Sequence, residues 1–215
     1  MIVRWWGHAC FEVRSSLTMV FDPHDGGGIG LSAPRVKADI VLASHRHYDH
    51  ADGIRLVAKE GAQTIVGEPG EREVGGVRIK GVLTFHDPEE GRLRGVNVVY
   101  VVETEGIRLC HLGDLGHIPS DGQLREIGDV DIAFVPVGGV YTIDAREADE
   151  VIKRMRPRIV VPMHYFVRGL RVRISGVEDF LKNKTNIRML RADSFEVRVE
   201  DLPEETEIWV LELGG

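Results

Sequence analysis

A short segment in the first quarter of the chain carries four side chains of the types that bind metal ions, namely His45, His47, Asp49 and His50. In an extended loop alternate residues point the same way, so His45, His47 and Asp49 are expected to face one side. His50 then turns to the other side, and the loop can serve two neighbouring ions. Without a metal the three histidines would repel one another when protonated, which favours metal binding over a structural role.

Four donors cannot complete the coordination of two ions, so further ligands must come from elsewhere in the chain. Three more donors stand after apolar, strand-like runs: His86, Asp114 and His164. Open sheets bind ligands beyond the carboxyl ends of their strands, so we expect these side chains to meet there. All nine histidines lie in or beside such segments, and none falls in a predicted helix.

The elements that must position these donors begin with a strand-rich first half. The run Ile40–Ala43 is continuously apolar, as expected of a central strand covered on both faces, and it leads directly into the metal-binding segment. Cys10–Arg14 alternates apolar and polar residues, as a half-buried strand does. Further strands are predicted at Ile2–Trp6, Thr18–Phe21, Thr64–Val66, Val77–Val82, Val96–Glu103 and Ile107–His111.

Capping signals predict the helices. The first is expected over Gly53–Glu60, with Gly61 as its C-terminal cap. Three residue pairs have the spacing of a capping box and are expected to open further helices: Ser120 with Gln123, Asp144 with Glu147, and Ser175 with Glu178. The strands predicted between and after these helices are Asp131–Val137, Arg158–Met163, Phe195–Glu200 and Glu207–Leu213.

Strand-rich halves with helices on the outside predict an α/β (α+β) fold. We expect a four-layer αββα sandwich, in which two mixed β-sheets pack face to face between layers of helices. The length of 215 residues suits a single domain over residues 1–215. That domain is expected to consist of two pseudo-similar halves with a break near residues 115–120.

Composition and charge argue against several classes of protein. No apolar run approaches the roughly 20 residues of a membrane helix, and no export signal is recognisable, so we expect a cytoplasmic protein without a membrane partner. The net charge of −7 argues against a nucleic-acid partner. The basic cluster of Arg168, Arg171 and Arg173 is expected to be a solvated surface. Cys10 and Cys110 are too few for a disulfide framework, and the oligomeric state stays open.

The run His45–His50 matches the His-x-His-x-Asp-His signature of the metallo-β-lactamase superfamily. The resemblance extends over nearly the whole chain. The segments Gly7–Phe11, Phe21–Pro23, Leu112–Asp114 and Val161–Tyr165 resemble the branch that contains ascorbate-phosphate lactonase-like proteins and many uncharacterised metal-dependent hydrolases. This resemblance implies the αββα fold described above.

The resemblance also implies how the ligands divide between two ions. The first ion would be held by His45, His47 and His86, the second by Asp49, His50 and His164, and Asp114 would bridge both. His111 competes with His86 for the third place on the first ion. We favour His86 because His111 lies within a predicted strand, where its side chain can point away from the turn.

The implied cofactor is a pair of divalent metal ions. Imidazole and carboxylate ligands without thiolate favour zinc, with manganese or iron as alternatives. The implied activity is hydrolysis of a small-molecule substrate, in which a hydroxide bridging the two ions attacks an ester, a lactone or a phosphodiester. Asp49 is expected to orient the nucleophile and to carry a proton. His117 is a candidate proton donor to the leaving group, with a structural role as its alternative.

Two other functions are compatible with the resemblance, an iron-binding redox protein and a metal-binding module without catalysis. The diiron branch is disfavoured because its typical Glu is replaced by His47, and the complete ligand set argues against a module that has lost activity. His8 and Asp22 are expected to hydrogen-bond to ligands, with a capping role as the alternative for His8. Tyr141 and Tyr165 are candidates for substrate contacts.

Overall fold

The computed structural model describes residues 1–214, so Gly215, the last residue of the predicted domain, lies outside the described residues. The first elements are β1 (Ile2–Trp5), β2 (Phe11–Arg14), β3 (Thr18–Phe21), β4 (Ala38–Ala43), α1 (Tyr48–Ala51), α2 (Ile54–Val57) and β5 (Ala58–Val66). They are followed by β6 (Gly70–Val74), β7 (Val77–Phe85), β8 (Val96–Thr104), β9 (Ile107–His111), α3 (Asp121–Ile127), β10 (Ile132–Pro136), α4 (Ala145–Met155), β11 (Ile159–Met163), α5 (Glu178–Leu181), β12 (Ile187–Met189), β13 (Ser194–Glu196), a 3₁₀ turn (Val199–Asp201) and β14 (Glu207–Val210).

These strands form two mixed sheets with helices beside them, which confirms the predicted fold class. Within residues 1–214 the first sheet has the order β13-β1-β2-β3-β4-β5, and the second has the order β12-β14-β11-β10-β9-β8-β7-β6. In each sheet an antiparallel part continues into a parallel part. The metal-binding segment follows β4 of the first sheet, whereas His86, Asp114 and His164 follow strands of the second.

The two sheets share one hydrophobic core. Phe11 of β2 stacks on Phe134 of β10, with the ring centroids 4.2 Å apart, and both side chains are fully buried. The opposite face of the first sheet is covered by α2, whose Val57 packs against Val20 and Val41. The strand β4 is thereby packed on both faces, as its continuous apolar run predicted.

Two of the predicted capping boxes are confirmed. The Ser120 side chain accepts from the backbone N–H of Gln123 at the start of α3. At the start of α4, Asp144 accepts from two backbone N–H groups and Glu147 closes the box. Both caps satisfy backbone groups that the first helical turn cannot pair internally.

The predicted helix over Gly53–Glu60 is wrong beyond Val57. The chain leaves α2 there and enters β5 at Ala58, so Gly61 lies inside a strand and caps no helix. The pairing of β5 with β4 shifts register between Ala38 and Ile40, which leaves room for extra residues on β5. Pairing with a central strand overrides the helical tendency of this polar segment.

The expectation of an extended loop over the metal-binding segment is wrong beyond His47. A single helical turn, α1, spans Tyr48–Ala51 with His47 as its N-cap, so Asp49 and His50 both lie in a helix. Because they are consecutive residues of a helical turn, Asp49 points towards His8 and His50 points towards Asp22. Helical turns of four residues leave too short a periodic pattern to be read from sequence.

The structure departs from prediction in three further places. Ser175 does not cap a helix, because α5 has Val177 as its N-cap without a side-chain hydrogen bond, and the Ser175 N–H donates to the Gly138 carbonyl. The strand predicted over Phe195–Glu200 ends at Glu196. The strands β6 and β12 were not predicted.

Across residues 1–214, no helix has the length and apolar character needed to cross a membrane.

Two glycines allow the backbone to approach the ligand-bearing segments closely. A Cβ on Gly116 would lie 2.3 Å from the carbonyl carbon of His86, and a Cβ on Gly138 would lie 2.2 Å from the carbonyl oxygen of His164. Real Cβ atoms do not approach other atoms so closely, so a side chain at either position would displace a candidate ligand.

We therefore expect Gly138→Ala to destabilise the fold by about 1–3 kcal/mol, because the added methyl group must push the His164 backbone away. The matched control is Gly27→Ala, since a Cβ on Gly27 would meet no atom within 4 Å. Urea denaturation of both variants measures the difference. Equal stability of the two variants would contradict the close approach of Gly138 to His164.

Candidate metal centre

Eight side chains converge where the strands end. They are all seven predicted ligands and His8, namely His8, His45, His47, Asp49, His50, His86, Asp114 and His164. They form three overlapping groups, and within each group one donor atom per residue lies within 4.8 Å of the others. All of them except His47 are buried. Buried titratable groups at this density need a partner for their charges and lone pairs, and a cation supplies one.

One group consists of His45, His47 and His86. The Nε2 atom of His45 lies 2.9 Å from Nδ1 of His47. The His86 ring lies 4.9 Å from the His45 ring and 5.0 Å from the His47 ring, between centroids. Three imidazoles with one nitrogen each turned to a common point form one side of a tetrahedral site.

The carboxylate of Asp114 lies between this group and the others, and its two oxygens face different histidines. Oδ2 lies 3.1 Å from Nε2 of His86 and 3.9 Å from Nε2 of His45. Oδ1 lies 3.1 Å from Nε2 of His50 and 3.3 Å from Nε2 of His164. A carboxylate in this position can bind one cation with each oxygen.

The second side of the centre has donors that the protein leaves unpaired. Nε2 of His50, Nε2 of His164 and Oδ1 of Asp114 are buried, and none has a hydrogen-bond partner of acceptable geometry within residues 1–214. Asp49 completes this side, with its Oδ2 atom 3.7 Å from Nε2 of His50. Buried polar atoms without partners are rare in native proteins, and a bound cation would satisfy all three. The donor set therefore fits a metal ion.

The other ring nitrogens of two histidines are held by a hydrogen-bond relay around Asp22. His50 Nδ1 lies 2.7 Å from Asp22 Oδ2, and the Ser44 hydroxyl donates to the same oxygen over 2.8 Å. Ser44 Oγ also lies 2.9 Å from Nδ1 of His45. Such contacts fix the tautomer and leave Nε2 free towards the centre. The predicted role of Asp22 agrees with this geometry, whereas Ser44 was not singled out from the sequence.

His8 makes its side-chain hydrogen bond with the carboxylate of Asp49. Its Nε2 atom lies 3.1 Å from Asp49 Oδ2, and its ring is fully buried, 4.1 Å from the His164 ring between centroids. His8 has a φ of 53°, which is unusual for a residue other than glycine, and its carbonyl accepts from the His164 N–H. The left-handed turn thus links His8 to Asp49 and to His164 together.

His111 and His117 lie outside the three groups and bond to the backbone. His111 accepts from the Gly113 N–H at Nδ1 and lies 2.8 Å from the Ala9 carbonyl at Nε2, which favours His86 over His111 as a ligand. His117 accepts from the Phe85 N–H at Nε2, and Nδ1 lies 3.0 Å from the Ile118 carbonyl. Both nitrogens of His117 are engaged, so the geometry favours its structural role over proton donation.

Asn97 is a positioning residue that was not identified from the sequence. Its side-chain carbonyl accepts from the Asp114 N–H, and its amide donates to the Leu112 carbonyl and to Thr84 Oγ1. Asn97 is fully buried in β8 and holds both ends of the turn that carries Asp114. A polar residue inside the apolar run of β8 was the available signal.

The charges in the centre depend strongly on one another. Burial acts to raise the pKa of Asp114, but His164 and His50 outweigh burial and hold that pKa well below its usual range. For His50 burial acts to lower the pKa, yet the carboxylates of Asp114 and Asp22 raise it well above its usual value. Without a cation, a proton on His50 takes the place of the missing positive charge.

Of the substrate-contact candidates, only Tyr141 is exposed. Tyr165 is buried against Trp5 at 5.1 Å between centroids and belongs to the core. Tyr48, between His47 and Asp49, is exposed as well. Partial burial raises the pKa of Tyr48, and the neighbouring carboxylate of Asp49 raises it further.

We expect the metal-free protein to lose stability as the pH falls below 6.5. Burial lowers the pKa of His8 and of His45 to about 3, whereas both have a pKa of about 6.5 in the unfolded chain. The unfolded chain then binds two more protons, so the free energy of unfolding falls by about 1.4 kcal/mol per pH unit for each histidine. Urea titrations with a chelator at about pH 6.5 and about pH 5 measure this slope.

Above pH 6.5 the free energy of unfolding should instead fall as the pH rises. The raised pKa of His50 lets the folded chain keep a proton that the unfolded chain has lost. An unfolding free energy that is constant between about pH 6.5 and about pH 5 would contradict the burial of neutral His8 and His45.

The chain is similar in sequence to a known protein family and to several of its members. A profile of the family described as the beta-lactamase superfamily domain matches residues 2–164, which end at the last candidate ligand. A UPF0173 metal-dependent hydrolase of Thermococcus onnurineus is 32% identical over 187 residues, covering 76% of this chain and 84% of that protein. A UPF0173 protein of Pyrococcus furiosus is 33% identical over 189 residues, covering 77% of this chain and 83% of that protein.

Among solved structures, one from Thermotoga maritima, named as a candidate zinc-dependent hydrolase of the metallo-β-lactamase superfamily, superposes with a TM-score of 0.81. It is 39% identical in sequence and covers 98% of each chain. The family profile spans well over half of the chain, and the two sheets and the clustered donors agree with it. The chain therefore belongs to the metallo-β-lactamase superfamily.

Proposed function

We propose that this protein is a metal-dependent hydrolase that holds two divalent cations and acts on an ester, a lactone or a phosphodiester of a small molecule. The observation that carries the proposal is the position of Asp114, whose two buried oxygens face two separate sets of imidazole nitrogens. A residue that held a single ion would not need both oxygens to be directed at different donors. The relatives named as metal-dependent hydrolases support the coarser part of the proposal, a hydrolase that depends on a metal.

The proposed ligands follow the grouping of the donors. His45, His47 and His86 hold the first cation, Asp49, His50 and His164 hold the second, and Asp114 bridges the two. Zinc is the proposed metal because the donors are imidazoles and carboxylates, and the T. maritima protein is named for zinc. Neither Cys10 nor Cys110 belongs to the three donor groups, and burial raises the pKa of both thiols.

Two divalent cations, when bound, lower the pKa of water towards neutrality and polarise the oxygen of the scissile group. The protein's own residues prepare the place where this happens. Burial acts to raise the pKa of Asp49, but the hydrogen bond from His8 and the charge of His50 lower it overall, so Asp49 is a carboxylate at neutral pH. It can then accept a proton from the attacking water, while His8 fixes its orientation.

The metal ligands are tested by metal content. We expect about two metal ions per chain in protein never exposed to chelator, and at least one ion fewer in Asp114→Asn and in His164→Ala. Elemental analysis measures this, with Asp129→Asn as the control because Asp129 is exposed and lies outside the centre. Wild-type protein with clearly less than one ion per chain would overturn the proposal.

The activity is tested with a panel of lactones, phosphodiesters, thioesters and β-lactams, assayed with zinc and with manganese. We expect turnover of at least one ester, lactone or phosphodiester, and a loss of at least about 100-fold in Asp114→Asn because two ions lose their shared ligand. Asp129→Asn should retain the wild-type rate. Hydrolysis that is equally fast in Asp114→Asn would contradict the proposed role of the centre.

A further inference from the structure

Three exposed aromatic and apolar side chains lie on loops that carry the donors of the candidate metal centre or pack against them. Tyr48 lies between His47 and Asp49, and Leu93, which is 67% exposed, lies on the loop that follows His86. Tyr141 lies on the loop after β10, whose Gly138 packs against the His164 carbonyl. Each of these three loops therefore starts at a donor of the centre or packs against one.

The loop after His86 is held rigidly although it has no regular secondary structure. The buried carboxylate of Asp87 accepts four backbone N–H groups, from Glu89, Gly91, Leu93 and Arg94, over 2.7–3.1 Å. Bonds of this kind to a charged acceptor are among the stronger hydrogen bonds in proteins. The position of the Arg94 backbone is therefore fixed from within the loop.

The Arg94 side chain reaches across to the loop after β10. Its guanidinium carbon lies 5.7 Å from the centroid of the Tyr141 ring, and Nη2 lies 3.5 Å from the Val140 carbonyl oxygen. In residues 1–214 no carboxylate lies within 4.0 Å of this guanidinium. An aromatic face orients a guanidinium without neutralising it, so the positive charge stays available to another group.

Arg92 on the same loop shows the contrast. Its guanidinium pairs with the Glu89 carboxylate, and both side chains are exposed. Arg92 thus has a carboxylate partner, whereas Arg94, two residues later, has none among residues 1–214 and is turned towards Tyr141. The two arginines share a loop and a charge but differ in whether the charge is already paired.

The loop that receives Arg94 is itself in an uncommon conformation. Val140 has a φ of 65°, and β-branched residues rarely adopt the left-handed region. Three residues later, the Ile143 N–H donates to the carbonyl oxygen of Leu115, the residue after Asp114, over 2.8 Å. Strain that persists because the surroundings fix it is typical of functional sites. Tyr141 and the Val140 carbonyl are thereby held in place for Arg94.

We propose that Arg94, oriented by Tyr141, binds an anionic oxyacid group of the substrate beside the bond that the metal centre cleaves. The planar fork of a guanidinium matches two oxygens of a phosphate, phosphonate or carboxylate, and the exposed Tyr141 ring adds an apolar contact. The substrate class is then an ester or lactone that carries a negative charge next to an apolar part. In a chain with a net charge of −7, a local cation is needed to attract such a substrate. The inference rests on the proposed function.

The test uses the full chain loaded with zinc and two probes, phenylphosphonate and its neutral dimethyl ester, titrated by calorimetry. Arg94→Gln should weaken phenylphosphonate binding by about tenfold or more, because a hydrogen-bonded ion pair is lost. Arg92→Gln is the matched control and should change it less than about twofold. Binding of the neutral ester should be the same in all three proteins.

Arg94→Lys and Tyr141→Phe refine the result. Lysine keeps the charge and loses the planar fork, so it should bind phenylphosphonate between wild type and Arg94→Gln, whereas Tyr141→Phe keeps the ring and should stay near wild type. Equal effects of Arg94→Gln and Arg92→Gln would overturn the proposal. Equal weakening of both probes, or a fall in zinc content, would show that Arg94 only ties the loops together and would overturn it as well.

The two proposals can fail separately. If Arg94→Gln selectively weakens phenylphosphonate but no substrate of the panel is hydrolysed, the hydrolase assignment fails and the anion site stands. If substrates are hydrolysed but Arg94→Gln lowers kcat/KM equally for charged and neutral ones, the anion site fails and the hydrolase assignment stands.

Discussion

The carboxylate of Asp114 lies buried among His45, His50, His86 and His164, and a charge in such a place must be matched on every side. Much of the surrounding structure serves that requirement. Asn97 holds the turn that carries Asp114, glycines let the backbones of neighbouring loops approach, and an outer relay around Asp22 fixes two of the rings. Removing any one of these contacts would leave buried charge or lone pairs unmatched.

The clustering of the donors could be predicted from the sequence because it depends on residue types at fixed spacing. Four donors between His45 and His50 favour a metal site over a structural role. The other donors, His86, Asp114 and His164, follow apolar runs that are recognisable as strands. The two mixed sheets follow from the same runs. The roles of the individual ligands and the single-domain organisation with two halves stay predictions, as does a cytoplasmic location.

Other parts could not be predicted, for physical reasons. The turn α1 is one helical turn long, so it leaves no periodic signal. The strand predicted at Thr64–Val66 begins earlier, at Ala58, because the polar residues before Thr64 also belong to the strand that pairs with β4. His117 stands three residues after Asp114, yet its ring is turned to the backbone by contacts that are distant in sequence. Arg94 lies in a loop rich in charge, where nothing in the sequence distinguishes it from Arg92.

The donors of the centre come from both sheets, with His45 to His50 following the first and His86, Asp114 and His164 following the second. A cation bound by Asp114 and by His45 or His50 would therefore join the two halves of the sandwich as a non-covalent cross-link. Ligands that bind only the native state stabilise it in proportion to the logarithm of their free concentration. The lifetime of the folded chain would then follow the supply of metal around it, so that shortage of metal removes the protein itself along with its activity.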